Sequence, residues 1–290
     1  MRYLLHESDR PISTDYYYEC RKITNECCPK LYAHTHDFFE IYLYLSGSIK
    51  LFIEDRIYKV KRGDIIVIPP HTIHQLFPDS SGLNEKYDRL YLYITTACLT
   101  TFQFNEHSLL SPIERAVKEK RYLFHLDSPD FEQIFDSLME IYQNSKTEFY
   151  GKELLNRSHI LYSMTLLGRH ILTDMEPRKT THMNPLVDDV LSYINEHYME
   201  SLTLESIAAH FYLNKYTLTK LFKKQTDRTL HNYILLKRIS MAKQKMTEGV
   251  SPSAIFHEVG FKDYSTFYRA FQKMEQISPK EFAKYCMKSK

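Results

Sequence analysis

One sequence pattern occurs twice in the C-terminal part of the chain, and the second copy is displaced from the first by 49 positions. Leu218 and Phe222 in the first copy correspond to Phe267 and Phe271 in the second. In each copy, apolar residues recur at the spacing of one helix face, first over a short segment and then, after a turn, over a second one. The pattern predicts a duplicated helix-turn-helix.

Residues that favour helix starts and turns define the limits of these helices. Thr203 and Asn214 are N-cap types that precede the two helices of the first copy. In the second copy, Gly260 supplies the turn and Asp263 caps the following helix. Between the copies, residues 233–246 are amphipathic and predict a rigid connecting helix. Its cations are expected to stay in solvent: Lys237, Arg238, Lys243 and Lys245.

The second helix of each copy carries polar and cationic residues opposite its apolar stripe. Two such helices at a fixed separation can enter successive major grooves on one side of a DNA duplex. We therefore expect one set of residues to read base edges: Tyr216, Thr219, Lys220, Tyr264, Ser265, Tyr268 and Arg269. A set of cations is expected to contact phosphates: Lys223, Lys224, Arg238 and Lys273.

Charge is distributed unevenly along the chain. Residues 201–290 contain 16 Lys and Arg against 7 Asp and Glu, whereas residues 1–200 contain 22 against 29. The C-terminal part is therefore basic and the remainder acidic, although the net charge of the whole chain is only +2. Taken alone, these charges also fit a solvated helical surface, but together with the duplicated motif they favour a domain that binds a polyanion.

Residues 186–286 resemble the DNA-binding domain of the AraC/XylS family of transcriptional regulators. The resemblance rests on Ile207-Ala208, Leu218 to Lys224, Lys237-Arg238 with Ala242, Val259-Gly260-Phe261, Ser265, Phe267, Arg269, Phe271 and Ser278-Pro279. The chain departs from the family at Asp227 and Gln276, where glycine is usual, and at Tyr212 and Phe256, where smaller residues are usual. The resemblance implies binding to double-stranded promoter DNA and a contact with RNA polymerase.

The chain is long enough for a second domain, since 290 residues exceed one typical domain and 43% of them are apolar. No apolar run approaches the roughly 20 residues that cross a bilayer, and the first residues, with Arg2, Glu7 and Asp9, differ from a signal peptide. The cysteines lack Cys-x-x-Cys spacing: Cys20, Cys27, Cys28, Cys98 and Cys286. We expect a cytoplasmic protein without disulfides or membrane association.

Short β-branched and aromatic segments separated by turn residues dominate the N-terminal part. They predict strands over residues 40–45, 49–54, 56–60, 65–69 and 90–95. Short strands at regular intervals indicate an all-β barrel or sandwich.

Residues 34–76 resemble a cupin. The first cupin motif is matched by His34-Thr35-His36, Glu40 and Gly47, and the second by Gly63-Asp64, Pro69 and His74, with His71 in place of a glycine. At the positions of His34, His36, Glu40 and His74, cupin enzymes bind a transition metal, and such a set suits iron, manganese or nickel. Cupin-like sensor domains of AraC-type regulators commonly keep this pattern without a metal, so we expect no metal or other cofactor here.

Alternation along the strand that contains Glu40 places Glu40, Tyr42 and Tyr44 on one face, and His34 and His36 share their parity. A pocket lined by His, Glu and Tyr suits a small polar effector such as a sugar. The candidate effector-binding residues are His34, His36, Glu40, Tyr42, Tyr44, His74, Tyr91 and Tyr93. The alternative is that these tyrosines are half-buried sheet residues whose hydroxyls lie in solvent.

Apolar residues at helical spacing dominate residues 112–173, for example Phe131, Ile134 and Leu138. Such helices can pack on the barrel or form a dimer seam, and the sequence leaves both open. The family resemblance implies a homodimer through this region. The polar residues 174–185, which include two prolines, predict a linker.

The sequence thus predicts an α+β multidomain protein: a cupin-like β-barrel over residues 1–111, a helical dimerisation region over 112–173, a linker over 174–185, and an all-α domain with two helix-turn-helix motifs over 186–290. We expect a transcriptional activator, not an enzyme, in which effector binding favours one arrangement of the domains. Two alternatives stay open: a metal-dependent cupin enzyme fused to a DNA-binding domain, and a dimeric regulator without a ligand.

Overall fold

The computed structural model describes residues 18–26, 33–78, 86–174, 185–226 and 228–288. The chain divides into two compact units, which we describe separately. Several predictions fall outside the described residues: those for the first residues of the chain, for Cys27, Cys28 and Asp227, and for the linker apart from Asp174 and Pro185.

The N-terminal unit is mixed α/β. Its described strands are β1 (Tyr18–Asn25), β2 (Phe39–Ser46), β3 (Ile49–Ile53), β4 (Arg56–Lys59), β5 (Asp64–Ile68), β6 (His74–Pro78), β7 (Tyr87–Ile94), β8 (Gln103–Phe104), β9 (His107–Ser108) and β10 (Leu123–His125). Its helices are α1 (Thr96–Thr100), α2 (Leu110–Lys118), α3 (Ser128–Asn144) and α4 (Lys152–Thr173).

Two sheets share the interior of this unit. One has the strand order β1-β7-β2-β5-β10 and the other β4-β3-β6, while β8 and β9 form a separate hairpin. Tyr42 of the larger sheet and Leu51 of the smaller one belong to the same buried cluster. Strand alternation turns Ile41 and Leu43 to the opposite face of the larger sheet, where side chains of α3 and α4 cover them. The predicted β-rich domain therefore takes the form of two facing sheets with helices packed on one of them.

The predicted strands correspond to β2, β3, β4, β5 and β7, with ends that differ by up to three residues. The prediction misses β1, β6, β8, β9 and β10. Strand β10 also interrupts the segment 112–173, which is predicted to be helical, because Leu123 pairs with Ile66 of β5. A three-residue strand is too short to display the alternation by which strands are recognised in a sequence.

Over its described residues from 185 onward, the C-terminal unit consists of helices joined by turns. Its helices are α5 (Pro185–His197), α6 (Leu204–His210), α7 (Lys215–Thr226), α8 (Leu230–Thr247), α9 (Pro252–Glu258), α10 (Tyr264–Glu275) and α11 (Pro279–Lys288). Helices α6 and α7 form the first helix-turn-helix, and α9 and α10 form the second. Across the described ranges of both units, no helix is long and apolar enough to cross a membrane.

The predicted caps and turn are confirmed. The side chain of Thr203 accepts a hydrogen bond from the backbone N–H of Ser206 at 3.0 Å, and Asp263 Oδ1 accepts one from Thr266 at 2.8 Å. Gly260 has a φ of 89° and ends the first helix of the second copy. In the first copy, Tyr212 holds the corresponding position with a φ of 54°, and its side chain is 97% exposed. A left-handed conformation costs a non-glycine residue roughly 1–2 kcal/mol, so the first turn carries strain that the second avoids.

The connecting helix α8 lies between the two motifs. Near its start, the ring of Tyr233 lies 5.9 Å from that of Phe222 of α7, whereas Ile239 and Met246 pack in the core of the second motif. The expectation that the cations of α8 stay in solvent is wrong for Lys243, which is only 4% exposed. Its Nζ donates to Glu275 at 2.8 Å and lies 5.6 Å from the centroid of the Phe282 ring. A helix with packing partners on more than one side buries a wider stripe than its sequence suggests.

Candidate functional site

The outer face of α7 brings together the residues predicted for the first DNA-reading helix. One shallow concave surface is lined by Leu204, Tyr216, Thr219, Lys220, Lys223 and Lys224. Leu218 and Phe222 are fully buried on the opposite side and fix the rotation of the helix. Asn214 Oδ1 accepts a hydrogen bond from the Tyr216 N–H at 2.8 Å, which caps the helix start. The surface is cationic, with three lysines, and no acidic side chain is among the residues that line it.

The outer face of α10 presents the second predicted set. Tyr264, Ser265, Arg269 and Lys273 are exposed, and Tyr268 is half-buried. Hydrogen bonds from the backbone and side chain of Thr266 hold the pKa of the Asp263 carboxyl below its ordinary value. The cap of α10 is therefore a carboxylate at neutral pH, which suits a helix N-terminus.

Arg238 of α8 differs from the residues of these two faces because its guanidinium is bonded to backbone carbonyl groups. Its Nε and Nη2 donate to the carbonyl oxygens of Tyr198 at 2.8 Å and Glu200 at 2.7 Å. Burial lowers the pKa of its guanidinium. These contacts tie α8 to the segment after α5, so the geometry gives Arg238 a structural role and does not support the phosphate contact predicted for it.

In the N-terminal unit, β2 and β7 bring the predicted effector residues to the interior between the two sheets. Glu40 is paired in register with Tyr93, and Tyr42 with Tyr91. These tyrosines and Tyr44 are buried, so the alternative that their hydroxyls lie in solvent is wrong. Burial raises the pKa of Tyr42, Tyr91 and Tyr93, and they are therefore neutral phenols that donate and accept hydrogen bonds.

A cluster of His36, Glu40 and His74 lies at one end of this interior. Their potential ligand atoms all lie within 4.8 Å of one another, whereas the predicted fourth member, His34, is not part of the group. The distance from Glu40 Oε2 to His36 Nε2 is 3.1 Å, and that to His74 Nε2 is 3.6 Å. Two ligands placed about 2.1 Å from a first-row metal ion lie at most about 4.2 Å apart, so the two distances from Glu40 fit a transition metal.

The tautomer of His36 follows from its other contact. Its Nδ1 lies 2.8 Å from the carbonyl oxygen of Phe38, which only accepts, so Nδ1 carries the hydrogen. In the neutral ring, Nε2 then directs a lone pair at the Glu40 carboxylate 3.1 Å away. A shared proton or a cation between these atoms resolves that conflict. The cluster therefore has chemistry that suits either a buried ion pair or a metal.

Arg89 is a polar residue of this interior that the sequence analysis misses. It lies on β7 between Tyr87 and Tyr91 in the alternating series, and its side chain is 1% exposed. Its Nε donates to the Tyr91 hydroxyl, and its Nη1 donates to Asn25 Oδ1 at 2.5 Å. The alternation that identifies Tyr91 and Tyr93 also includes Arg89, so the same pattern offers the signal that would find it.

Comparisons with known proteins agree with this division. A family model described as a helix-turn-helix domain matches residues 207–285, and one described as an AraC-like ligand binding domain matches residues 31–158. The probable transcriptional regulator LumQ of Photobacterium leiognathi is 24% identical over 86% of this chain and 90% of its own. The arabinose operon regulatory protein of Salmonella typhimurium is 26% identical over 77% and 75%. An apo ToxT structure from Vibrio cholerae has a TM-score of 0.39 at 12% identity, covering 92% of this chain and 97% of that one.

Proposed function

Because the chain belongs to the AraC family of helix-turn-helix regulators, we propose that it recognises promoter DNA through α7 and α10 and responds to an effector bound between its N-terminal sheets. One observation carries the DNA-binding part. Two capped helices present equivalent outward positions, such as Lys220 and Arg269, and one buried connecting helix joins their motifs. The 18 residues of α8 span about 27 Å, which is comparable to one turn of B-DNA at about 34 Å.

The residues divide by chemistry into two roles. One set of residues reads base edges: Tyr216, Thr219, Lys220, Tyr264, Ser265, Tyr268 and Arg269. In this set, the donors of Lys and Arg match the acceptor atoms of guanine. Lys223, Lys224 and Lys273 contact phosphates and supply the salt-dependent part of the affinity.

The proposal is tested with a duplex selected by the protein from a random-sequence pool. Lys220→Ala and Arg269→Ala are each expected to weaken binding by about 1–3 kcal/mol and to relax sequence preference at different positions of the site. Lys280→Ala is the matched control, since it removes an exposed lysine from α11. If both variants bound the duplex like the parent, recognition by two reading helices would be wrong.

Effector binding draws its support from the buried phenols and from the His36, Glu40 and His74 cluster. We propose that the ligand is a small polar molecule, such as a sugar, and that the protein acts in the cytoplasm as an activator that engages RNA polymerase. It is a regulator and not an enzyme in this proposal, with functional parts at residues 1–111, 112–173, 174–185 and 186–290.

The effector proposal is tested by thermal shift with sugars and a fractionated metabolite extract, and metal content is assayed on the same sample. A specific stabiliser supports an effector sensor, because a ligand of the native state raises its stability by mass action. Stoichiometric metal with catalytic turnover would favour the cupin-enzyme alternative. A complete lack of stabilisation would favour a regulator without a ligand.

We further propose a homodimer through α4. Its outer side exposes Leu154, Leu155, Tyr162 and Leu172, and Leu154 is 71% exposed. At about 100° per residue these four positions fall within an arc of about 100°, so they form one apolar strip along the helix. A strip of this kind favours contact with a second copy.

A further inference from the structure

Arg89 is a buried cation that forms no ion pair with the described residues of the N-terminal unit. Among the described residues, it is the largest of the fully buried side chains. Over residues 18–26, 33–78 and 86–174, its polar partners are Tyr91 and Asn25, and it stacks on the ring of Tyr87 with 4.2 Å between the guanidinium carbon and the ring centroid. All three partners are neutral, and no carboxylate in these ranges forms an ion pair with it.

Two neighbouring cations on the same sheet, unlike Arg89, have carboxylate partners. Arg21 of β1 forms two bonds with Glu19, at 2.6 and 3.0 Å, and Lys22 lies 3.8 Å from Asp88. Asp88 adjoins Arg89 in sequence, but strand alternation directs it to the opposite face of β7. Among the described residues, these two partly exposed cations are therefore paired with carboxylates, whereas the partners of the more buried Arg89 are neutral.

Arg89 remains charged in this setting. Burial opposes its charged form, but the hydroxyls of Tyr91, Tyr87 and Tyr42 outweigh that effect and raise the pKa of the guanidinium. Of its five N–H donors, one on Nε and one on Nη1 have acceptors among the described residues. The remaining donors belong to Nη1 and Nη2, the pair of nitrogens that binds a carboxylate or phosphate side by side.

The position of Arg89 in the sheet defines what else such a ligand meets. Arg89 is in register with Tyr44, the next inward pair is Tyr91 with Tyr42, and the one after it is Tyr93 with Glu40. Four residues of β7 therefore separate Arg89 from the Glu40 end, a distance of about 13 Å. The interior has a cation at one end, carboxylate and imidazole at the other, and tyrosine hydroxyls and rings between them.

We propose that the effector is a small organic anion, whose carboxylate or phosphate group binds Arg89 while its hydroxyl-bearing body lies along the tyrosines. This inference rests on the proposed function, because it assumes that a ligand occupies the interior between the sheets. It changes the expected ligand from a neutral sugar to an acidic one, since a neutral sugar leaves the buried guanidinium without a counter-charge.

The experiment compares matched acidic and neutral compounds by thermal shift on the full chain. The pairs are glucuronate with glucose, galacturonate with galactose, gluconate with glucitol, and glucose 6-phosphate with glucose, together with inorganic phosphate alone. We expect stabilisation by at least one acidic member and none by its neutral partner. Carboxylates and phosphates are separate arms, so the responding arm identifies the anionic group.

Variants then assign the effect to Arg89. Arg89→Gln is expected to weaken binding of the responding acid about 100-fold, because it truncates one partner of a buried charge pair. Arg89→Lys keeps the charge but loses the paired donors, so it provides an intermediate value if the glutamine variant does not fold. Arg21→Gln is the control and is expected to bind the acid like the parent.

Two outcomes overturn the anion proposal. One is stabilisation by neutral compounds alone, in which case effector sensing stands and its proposed acidity falls. The other is stabilisation by no acid of the panel, or by an acid whose affinity Arg89→Gln leaves unchanged. If the metabolite extract also fails to stabilise the protein, the effector-sensing function falls as well.

Discussion

Replacing Gly260 by alanine tests how the turn of the second motif is held against the rest of the helical unit. A Cβ at this position would lie 2.6 Å from the carbonyl oxygen of Tyr198, 2.9 Å from that of Met199 and 2.9 Å from Arg238 Nε. The φ of 89° alone costs alanine roughly 1–2 kcal/mol. Displacing Arg238 also disturbs its bonds to Tyr198 and Glu200, each worth about 1.5–3 kcal/mol because the donor is charged. The conformational cost together with the loss of one of these two bonds gives an expected total of about 3–5 kcal/mol.

The assay is hydrogen exchange with mass spectrometry, since it reports the local stability of peptides from α8 and α10. A loss of 3 kcal/mol corresponds to about 150-fold faster exchange, at a factor of ten per 1.4 kcal/mol. Gly249→Ala is the matched control, because Gly249 has a φ of 99° but nothing lies within 4 Å of an added Cβ. Strain alone predicts about 5- to 30-fold faster exchange there. Equal effects of the two variants would refute the reasoning from close contacts.

Three further predictions concern the helix end, a buried carboxyl and the proposed dimer. Gln276→Gly is expected to stabilise the C-terminal unit by about 0.5–1 kcal/mol in urea unfolding, because Gln276 ends α10 with a left-handed φ of 61°; a loss of stability would contradict this. Burial raises the pKa of Asp64 above its ordinary value, so the folded state binds the proton more tightly than the unfolded state. Stability from this group is therefore greatest below the ordinary carboxyl pKa and declines as pH rises through the folded value. Asp64→Asn should remove that decline from the melting temperature measured between pH 3 and 7. A melting temperature of the parent that rises relative to that of the variant as the pH increases would count against this prediction. Leu154→Lys should shift the protein toward monomer in sedimentation equilibrium, whereas Lys118→Ala, on α2, should not; an unchanged dimer in both would exclude the α4 strip.

The sequence predicts elements whose signals are local. Thr203 and Asp263 cap helices through bonds to residues three positions away, so their roles are readable from a short segment. The alternation of β2 likewise predicts which of its side chains turn inward.

Features that depend on distant partners are the ones that the sequence does not predict. Strand β10 exists because Leu123 pairs with Ile66, and the burial of Lys243 depends on Glu275. The bond from Arg238 to Tyr198 also joins residues 40 positions apart. In this part of the sequence, a cation on a helix surface predicts a DNA contact, so the bond is not expected. The sequence motifs bring His36, Glu40 and His74 together with His34 as candidates, but only the geometry separates His34 from the cluster of the other three.

The shared helix α8 has a consequence for how the C-terminal unit comes apart. Tyr233 belongs to the packing of the first motif, and Ile239 and Met246 belong to the second, so melting α8 removes part of both cores. The two motifs then form one cooperative folding unit, although their sequences are those of a repeat. A destabilised variant would pass from two DNA-reading helices to none, without a stable state in which a single motif survives.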